Sequence, residues 1–186
     1  MSITELYKRL NNKQLKNWNR SLPFQDTIDD RWQRAKLLGF GEKTSIYNSS
    51  FVFGKVEVGS NTWIGPNVIL DGMAARLKIG NYCSISAGVQ IYTHDSINWA
   101  LSGGNCSFKK DKVMIGNNNY IGSLSIILPG TEIGSYCVIG ANSLVKGTIK
   151  DYSIYAGTPA IKIGFVTFKN NKPTMNFSKD GSLETI

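Results

Sequence analysis

The chain has 186 residues, 41% of them hydrophobic, which is enough to bury one core with room for an appendage. No apolar run reaches the ~18 residues of a membrane span, and the N-terminal Met-Ser-Ile-Thr-Glu-Leu-Tyr-Lys lacks an apolar leader region, so a cytoplasmic location is the default expectation. The net charge of +8 suits a phosphate-bearing ligand or an anionic surface, but the basic residues are scattered rather than blocked with aromatics, which argues against nucleic acid.

Residues 1–42 form an N-terminal helical segment in this reading. Ile3, Leu6, Tyr7, Leu10 and Trp18 keep largely to one helical face, and Ser2 with Glu5 makes a capping-box pattern. Ser21-Leu22-Pro23 ends that helix, because proline disfavours a helical residue before it. A second helix is expected over Ile28–Leu38, capped by Asp26 or Thr27, with Ile28, Trp32, Ala35 and Leu38 as its apolar stripe and Gly39 as its left-handed stop. Gly39-Phe40-Gly41-Glu42-Lys43-Thr44 is not a phosphate loop, since that motif needs glycine directly before the Lys-Thr and a preceding strand.

From residue 46 a six-residue period takes over. Val58, Ile64, Leu70, Ile79, Ile85 and Ile91 open one series of hexads, and Ile115, Ile121, Ile127, Ile133, Ile139 and Val145 open another. Glycine often follows the aliphatic residue, and the fifth position is mostly small or β-branched, as at Thr62, Val68, Cys83, Ser125 and Cys137. That period fits neither a helix nor a hairpin. It predicts a solenoid of short parallel strands stacked at ~4.8 Å, with the aliphatic residue inward and glycine at a corner of strained backbone angles. The three cysteines, Cys83, Cys106 and Cys137, are odd in number and widely spaced. Two of them share the fifth hexad position and read as small buried side chains rather than as a disulfide or metal framework.

Two interruptions break the repeat. Three residues are inserted around Met73-Ala74-Ala75, and residues 95–112 loop out between Ile91 and Ile115, ending in Lys109, Lys110 and Lys112. Long loops on a rigid scaffold often carry function. This one follows His94, the only histidine in the chain. Imidazole is the side chain whose proton affinity lies nearest neutral pH, so His94 is the candidate general base. Asp95 either orients the imidazole or caps the loop. If three hexads make one coil, Leu70 lies under Ile91 and Asp71 under Tyr92, close to His94. Asp71 then either contacts an acceptor hydroxyl or makes a turn with Gly72. One histidine and three scattered cysteines give no basis for a metal site. Residues 165–186 lose the repeat and read as a tail, with Phe165-Val166-Thr167-Phe168 as a short strand and order only over the first part.

Residues 43–164 read as the main domain, and about residues 46–163 of it carry a wider resemblance. The run Ile115-Gly116-Asn117-Asn118-Asn119-Tyr120-Ile121-Gly122, then Ile127-Leu128-Pro129-Gly130, Ile133-Gly134, Ile139-Gly140-Ala141-Asn142-Ser143 and the ending Ile154-Tyr155-Ala156-Gly157-Thr158-Pro159-Ala160 resembles the hexapeptide-repeat acyltransferases. The resemblance implies a mainly β fold, a left-handed parallel β-helix, and an acetyl-coenzyme A-dependent O-acetyltransferase of a sugar or surface-glycan precursor, assembled as a homotrimer without metal. It matches His94 to the catalytic histidine and places an oxyanion donor at the backbone N–H of Ser123. Tyr120 stands where many relatives have an acceptor-lining tryptophan, and Tyr92 and Asp71 lie on the acceptor side. Coenzyme contacts are implied at Ala141, at Lys146 where relatives often have threonine, and at Lys162, one residue beyond the usual basic position. Two other readings stay open: an N-acetyltransferase of a nucleotide-linked amino sugar, and a non-catalytic β-helix scaffold. A γ-carbonic anhydrase-like enzyme needs several histidines and does not fit.

Overall fold

The computed structural model describes residues 1–179 and 182–185, with side chains through Phe177. Among them no helix is long and apolar enough to cross a membrane.

The hexads wind into three-sided coils whose aliphatic residues stack in three inward columns. Ile46, Ile64, Ile85, Ile121 and Ile139 form the first. Val52, Leu70, Ile91, Ile127 and Val145 form the second. Val58, Ile79, Ile115, Ile133 and Ile149 form the third. All strand pairs within these columns are parallel, and all the column residues but the partly buried Val52 are buried. Each fully buried isoleucine contributes about 1.5–3 kcal/mol by leaving water, so the stacked columns are the core of the fold.

The glycine after the aliphatic residue has a different cause from the one expected. Its backbone is not left-handed; it is there for space. A Cβ on Gly122 would come within 2.5 Å of the Ala141 backbone nitrogen in the next coil, and one on Gly116 within 2.7 Å of the Gly134 carbonyl oxygen. The left-handed residue comes two positions later, at Asn61, Tyr82, Asn118 and Tyr136 on one corner and at Asn67, Gly88, Leu124 and Asn142 on another.

The fifth hexad position also does more than fill a gap. Thr44 and Thr62 Oγ1 and the Cys83 thiol donate to the carbonyls of Gly59, Gly80 and Gly116, and each threonine oxygen accepts the N–H of the fifth residue one coil on. Asn119, which breaks the small-residue pattern, continues the ladder: Nδ2 donates to the Gly134 carbonyl at 2.7 Å and Oδ1 accepts the Cys137 N–H at 2.7 Å. Buried polar groups on neighbouring coils are thereby satisfied by one another.

The N-terminal helices cover the open end of the first coil. Helix α1 spans Ile3–Trp18, with the Ser2/Glu5 capping box formed, but it ends at Asn19 in the left-handed conformation, ahead of the Ser-Leu-Pro stretch. None of its residues is fully buried: Ile3 and Trp18 are exposed, while Leu6, Tyr7 and Leu10 are half-buried and the Tyr7 ring packs edge-on against Phe24. The single expected second helix is two: α2, Phe24–Ile28, and α3, Arg31–Leu37. Asp29 is extended between them, and the N-cap of α3 is Asp30, whose carboxylate accepts the Trp32 N–H at 2.8 Å. Asp26 and Thr27 lie inside α2 instead, and buried Asp26 accepts the Ser49 N–H. Ala35 is the buried residue of α3, while Ile28, Trp32 and Leu38 are exposed; Gly39 has the expected positive φ of 71°. Arg34 of α3 donates to the carbonyls of Tyr47 and Ser50, tying the cap to the coil.

Beyond the last coil the chain reverses. Ser153–Gly157 pairs antiparallel with Ala160–Lys169, which pairs with Lys172–Lys179, and that strand pairs with Ser182–Thr185. The polar part of the expected tail is therefore strand: backbone pairing with its neighbours holds it despite its weak apolar pattern. Residues 180, 181 and 186 of that tail lie outside the described residues.

Candidate active site

Both interruptions of the repeat leave the coil at the same corner, between the second and third columns. The insertion after Leu70 and the loop after Ile91 are thus neighbours one coil apart. Ile69–Ile79 runs as one continuous strand through its insertion, and the Ala75 N–H points at Oγ1 of buried Thr93, 3.4 Å away. The loop leaves through His94–Asp95, which pairs antiparallel with Lys109–Lys110 on its return, and it carries a short helix α4, Ile97–Leu101. His94 therefore sits at the root of a two-stranded ribbon, anchored by the buried Thr93 on one side.

Asp71 pairs with Tyr92 in adjacent coils, as the three-hexad coil predicts. Its Oδ2 lies 3.2 Å from Nδ1 of His94. The pair is within ion-pair distance, but Nδ1 is buried and makes no aligned hydrogen bond. The other carboxylate oxygen, Oδ1, accepts the Met73 N–H at 2.9 Å, so Asp71 also makes the local turn. Asp71 is buried, while the imidazole is partly exposed with its Nδ1 turned to the buried side. Asp95 is engaged differently: its Oδ1 accepts the Ile97 N–H at 3.2 Å at the start of α4. Tyr92 donates its hydroxyl to Gln90 Oε1 at 2.7 Å, and burial, reinforced by the charge of Asp71, pushes its ionisation above the ordinary phenol value.

The loop adds residues that the sequence did not single out. The Phe108 ring lies 6.2 Å from the imidazole and 5.8 Å, edge to face, from the Trp99 ring. Trp99 and Phe108 are each nearly half exposed, so Phe108, backed by Trp99, flanks the imidazole without sealing it. The available signal was two large aromatics in an otherwise polar loop.

The remaining candidates lie elsewhere on the chain. Tyr120 is exposed on the first column, in register with Ser84 and Val138. Ser123 and Ala141 occupy the corner between the first and second columns, one coil apart, where the Asn142 N–H donates to the Ser123 carbonyl at 2.8 Å. Lys146 follows Val145 on the His94 corner, two coils further along, and Lys162 pairs with Tyr155 in the reversing strands. A single chain thus gathers His94, Asp71, Tyr92 and Asp95, and leaves Tyr120, Ser123 and Ala141 on other sides of the prism. Among the described residues no group of three or more His, Cys, Asp or Glu is placed to hold a metal ion.

Comparison with known proteins matches residues 112–147 to the family model described as bacterial transferase hexapeptide (six repeats). A chloramphenicol acetyltransferase of Agrobacterium fabrum is 30% identical over 156 residues, covering 74% of this chain and 72% of that protein. The putative lipopolysaccharide biosynthesis O-acetyl transferase WbbJ of Escherichia coli is 41% identical over 54 residues, 29% of this chain and 28% of that one. Among solved structures, a mutant of AntD, an N-acyltransferase from Bacillus cereus in complex with dTDP and coenzyme A, superposes with a TM-score of 0.61 at 26% identity, covering 72% of this chain and 88% of that one. The chain spans about half the length of the curated relatives it matches first.

Proposed function

Because this chain belongs to the hexapeptide-repeat acyltransferase family, built as a left-handed parallel β-helix, we propose that it transfers the acetyl group of acetyl-coenzyme A to a hydroxyl of a sugar or surface-glycan precursor. The observation that carries this reading is the His94–Asp71 pair: a buried carboxylate 3.2 Å from Nδ1 favours the tautomer with its proton on Nδ1, leaving Nε2 free to accept one. His94 then takes the acceptor proton as the hydroxyl oxygen attacks the thioester carbonyl. Negative charge develops on the carbonyl oxygen, where the Ser123 N–H is the proposed donor. As the tetrahedral intermediate collapses, the carbon–sulfur bond breaks and the imidazolium returns its proton to the leaving thiolate. Asp71 stabilises the imidazolium between those two transfers.

Ser123 and Ala141 are on a different corner from His94, so this mechanism asks for a second copy of the chain. The outward residues of the second column, Phe51, Ile69, Gln90, Ile126 and Leu144, form a largely apolar row, whereas those of the third, Glu57, Lys78, Met114, Glu132 and Thr148, are mostly polar. An apolar row suits burial against another subunit, and a homotrimer would bring the His94 corner of one chain to the Ser123 corner of the next. Ala141, Lys146 and Lys162 are the proposed coenzyme contacts along that boundary, with Tyr120 and Tyr92 toward the acceptor. The likeness to an N-acyltransferase favours one second reading, transfer to an amine of a nucleotide-linked sugar.

The test is thiol release from acetyl-coenzyme A with a panel of sugars, amino sugars and nucleotide sugars. Wild type is expected to release thiol with at least one hydroxyl acceptor, and His94→Ala to lose about 10²–10⁴-fold of kcat. Turnover only with amines selects the second reading. Full activity in His94→Ala removes the proposed base, and no turnover with any acceptor leaves a binding scaffold.

A further inference from the structure

We infer that the acceptor carries a negative charge beside the hydroxyl that is acetylated, and that Lys110 reads it. The inference rests on the acetyltransferase reading for its chemistry and on the loop ribbon for its geometry. His94 and Lys110 are directly opposite each other in that ribbon, and Asp95 is opposite Lys109. The Asp111 N–H donates to the Thr93 carbonyl at 3.0 Å, flanking the His94–Lys110 pair. The pair is therefore of the non-hydrogen-bonded kind, in which opposite Cα atoms approach to about 4.5 Å and side chains are closest. Opposite residues project to one face of a ribbon, and residues two apart in a strand share that face. Lys110 and the imidazole are consequently on one side, with Phe108 just ahead of the strand, while Asp95 and Lys109 project from the other. The Phe108 ring at 6.2 Å from the imidazole agrees with this placement.

The two cations nearest to Lys110 in sequence differ from it. Lys109 is on the opposite face of the ribbon, and Lys112 is neutralised by Glu132 at 2.9 Å. Among the described residues Lys110 has no carboxylate within 4.0 Å, and it is exposed. Asp71, the carboxylate nearest His94, is buried on the Nδ1 side of the ring. On the ribbon face that carries the imidazole stand one uncompensated ammonium and the half-exposed Phe108 ring, with Trp99 packed edge to face against it. Aromatic faces take the apolar C–H face of a pyranose, and an ammonium takes a carboxylate or a phosphate as a charge-assisted partner. The matching ligand is a pyranose bearing an anionic substituent. A sugar carboxylate and a glycosyl phosphate would both supply that charge.

The test uses matched acceptors: a neutral hexose, the corresponding uronic acid, and the corresponding hexose 1-phosphate. Wild type is expected to prefer one anionic form over the neutral sugar by at least about tenfold in kcat/KM, and which form is preferred identifies the source of the charge. Lys110→Ala should abolish the preference through the acceptor KM, leaving the KM for acetyl-coenzyme A unchanged. Lys110→Arg should retain it, and Lys109→Ala, on the opposite face, should behave as wild type. A wild type that prefers the neutral sugar, or a Lys110→Ala whose defect lies in the KM for acetyl-coenzyme A, overturns the inference. Direct titration of the same three sugars into wild type and Lys110→Ala, followed by ligand-observed NMR, separates it from the reaction itself. Binding of an anionic sugar by wild type that is lost in Lys110→Ala upholds the subsite even if no acetyl transfer is found. No anionic sugar bound in preference to the neutral one sinks it even if transfer occurs.

Discussion

Asp71 Oδ2 lies 3.2 Å from Nδ1 of His94, although the two residues belong to different coils and are 23 positions apart. That relationship favours Asp71 as the imidazole's partner, a role that sequence alone offers only to Asp95, because Asp95 Oδ1 is committed to the Ile97 N–H. Asp71→Asn is expected to lower kcat by about 10²-fold or more, through loss of both the tautomer preference and the charge that stabilises imidazolium. Asp95→Asn, which keeps an acceptor for the Ile97 N–H, is expected to stay within about threefold of wild type. Thiol-release kinetics on the two variants decide the matter; the reverse ranking would move the partner role to Asp95.

Phe108 touches the chemistry only through packing. Its ring lies beside the imidazole and against Trp99, so Phe108→Ala removes a wall from the acceptor side and lets the loop shift. The expected result is an acceptor KM raised about tenfold or more with little change in the KM for acetyl-coenzyme A. Phe108→Tyr should restore most of the loss. An unchanged acceptor KM in Phe108→Ala would mean that the aromatic pair serves only to hold the loop.

Much of this architecture is legible in the sequence because a six-residue period has few structural solutions. The stacking of Leu70 under Ile91 and of Asp71 under Tyr92 follows from counting three hexads per coil, and the register bears it out. What periodicity does not carry is direction across a loop. Nothing in the order of residues 95–112 states that Lys110 returns opposite His94, because the turn that sets this register is made by α4 and the residues after it. The split of the second helix was hidden for a similar reason: Asp30 as N-cap and Asp29 as linker look no different from solvent-facing helix residues until Asp26 is seen buried against Ser49. The reason for the corner glycines also needed three dimensions, since the atom each would strike belongs to the next coil.

Asn119 offers a test of the ladder that joins the coils. It is buried, and its side chain satisfies both the Cys137 N–H and the Gly134 carbonyl. Asn119→Ala leaves the buried Cys137 N–H unpaired, at a cost of about 1–3 kcal/mol, and the partly buried Gly134 carbonyl unpaired, at about 1 kcal/mol. Chemical denaturation should show a loss of about 2–4 kcal/mol, against less than about 0.5 kcal/mol for the exposed Leu101→Ala. Equal midpoints for the two variants would mean that the coils do not depend on this ladder.

The cysteines should differ in reactivity and in their effect on stability with pH. Burial pushes the Cys83 and Cys137 thiols above their ordinary value, while Cys106 is exposed on the loop. A thiol reagent should modify Cys106 first and reach the other two only on unfolding. For a thiol whose folded value is raised, both states are protonated below the unfolded value of about 8.5, so its contribution is fully present there. As pH rises above that, the unfolded chain ionises first and stability falls until the folded value is passed. Urea midpoints at pH 7.5 and pH 10 should therefore diverge more for wild type than for the Cys83→Ala/Cys137→Ala variant; an equal decline in both would assign the pH effect to other groups.

The apolar row of the second column gives the assembly its own test. Ile126 is outward-facing between Gln90 and Leu144, so a charge placed there changes the character of that face. Wild type is expected to sediment as three chains, and Ile126→Arg as one, because a single guanidinium buried without a partner opposes an interface of this kind by several kcal/mol. If His94 and the Ser123 N–H meet only across that boundary, Ile126→Arg should also lose most of its acetyl transfer while its secondary structure by circular dichroism stays intact. A monomeric Ile126→Arg that retains full activity would show that one chain holds the whole site, and the oxyanion donor would then have to be sought within the His94 corner itself, beginning with the backbone of residues 128–130, which follow Ile127 one coil beyond Ile91.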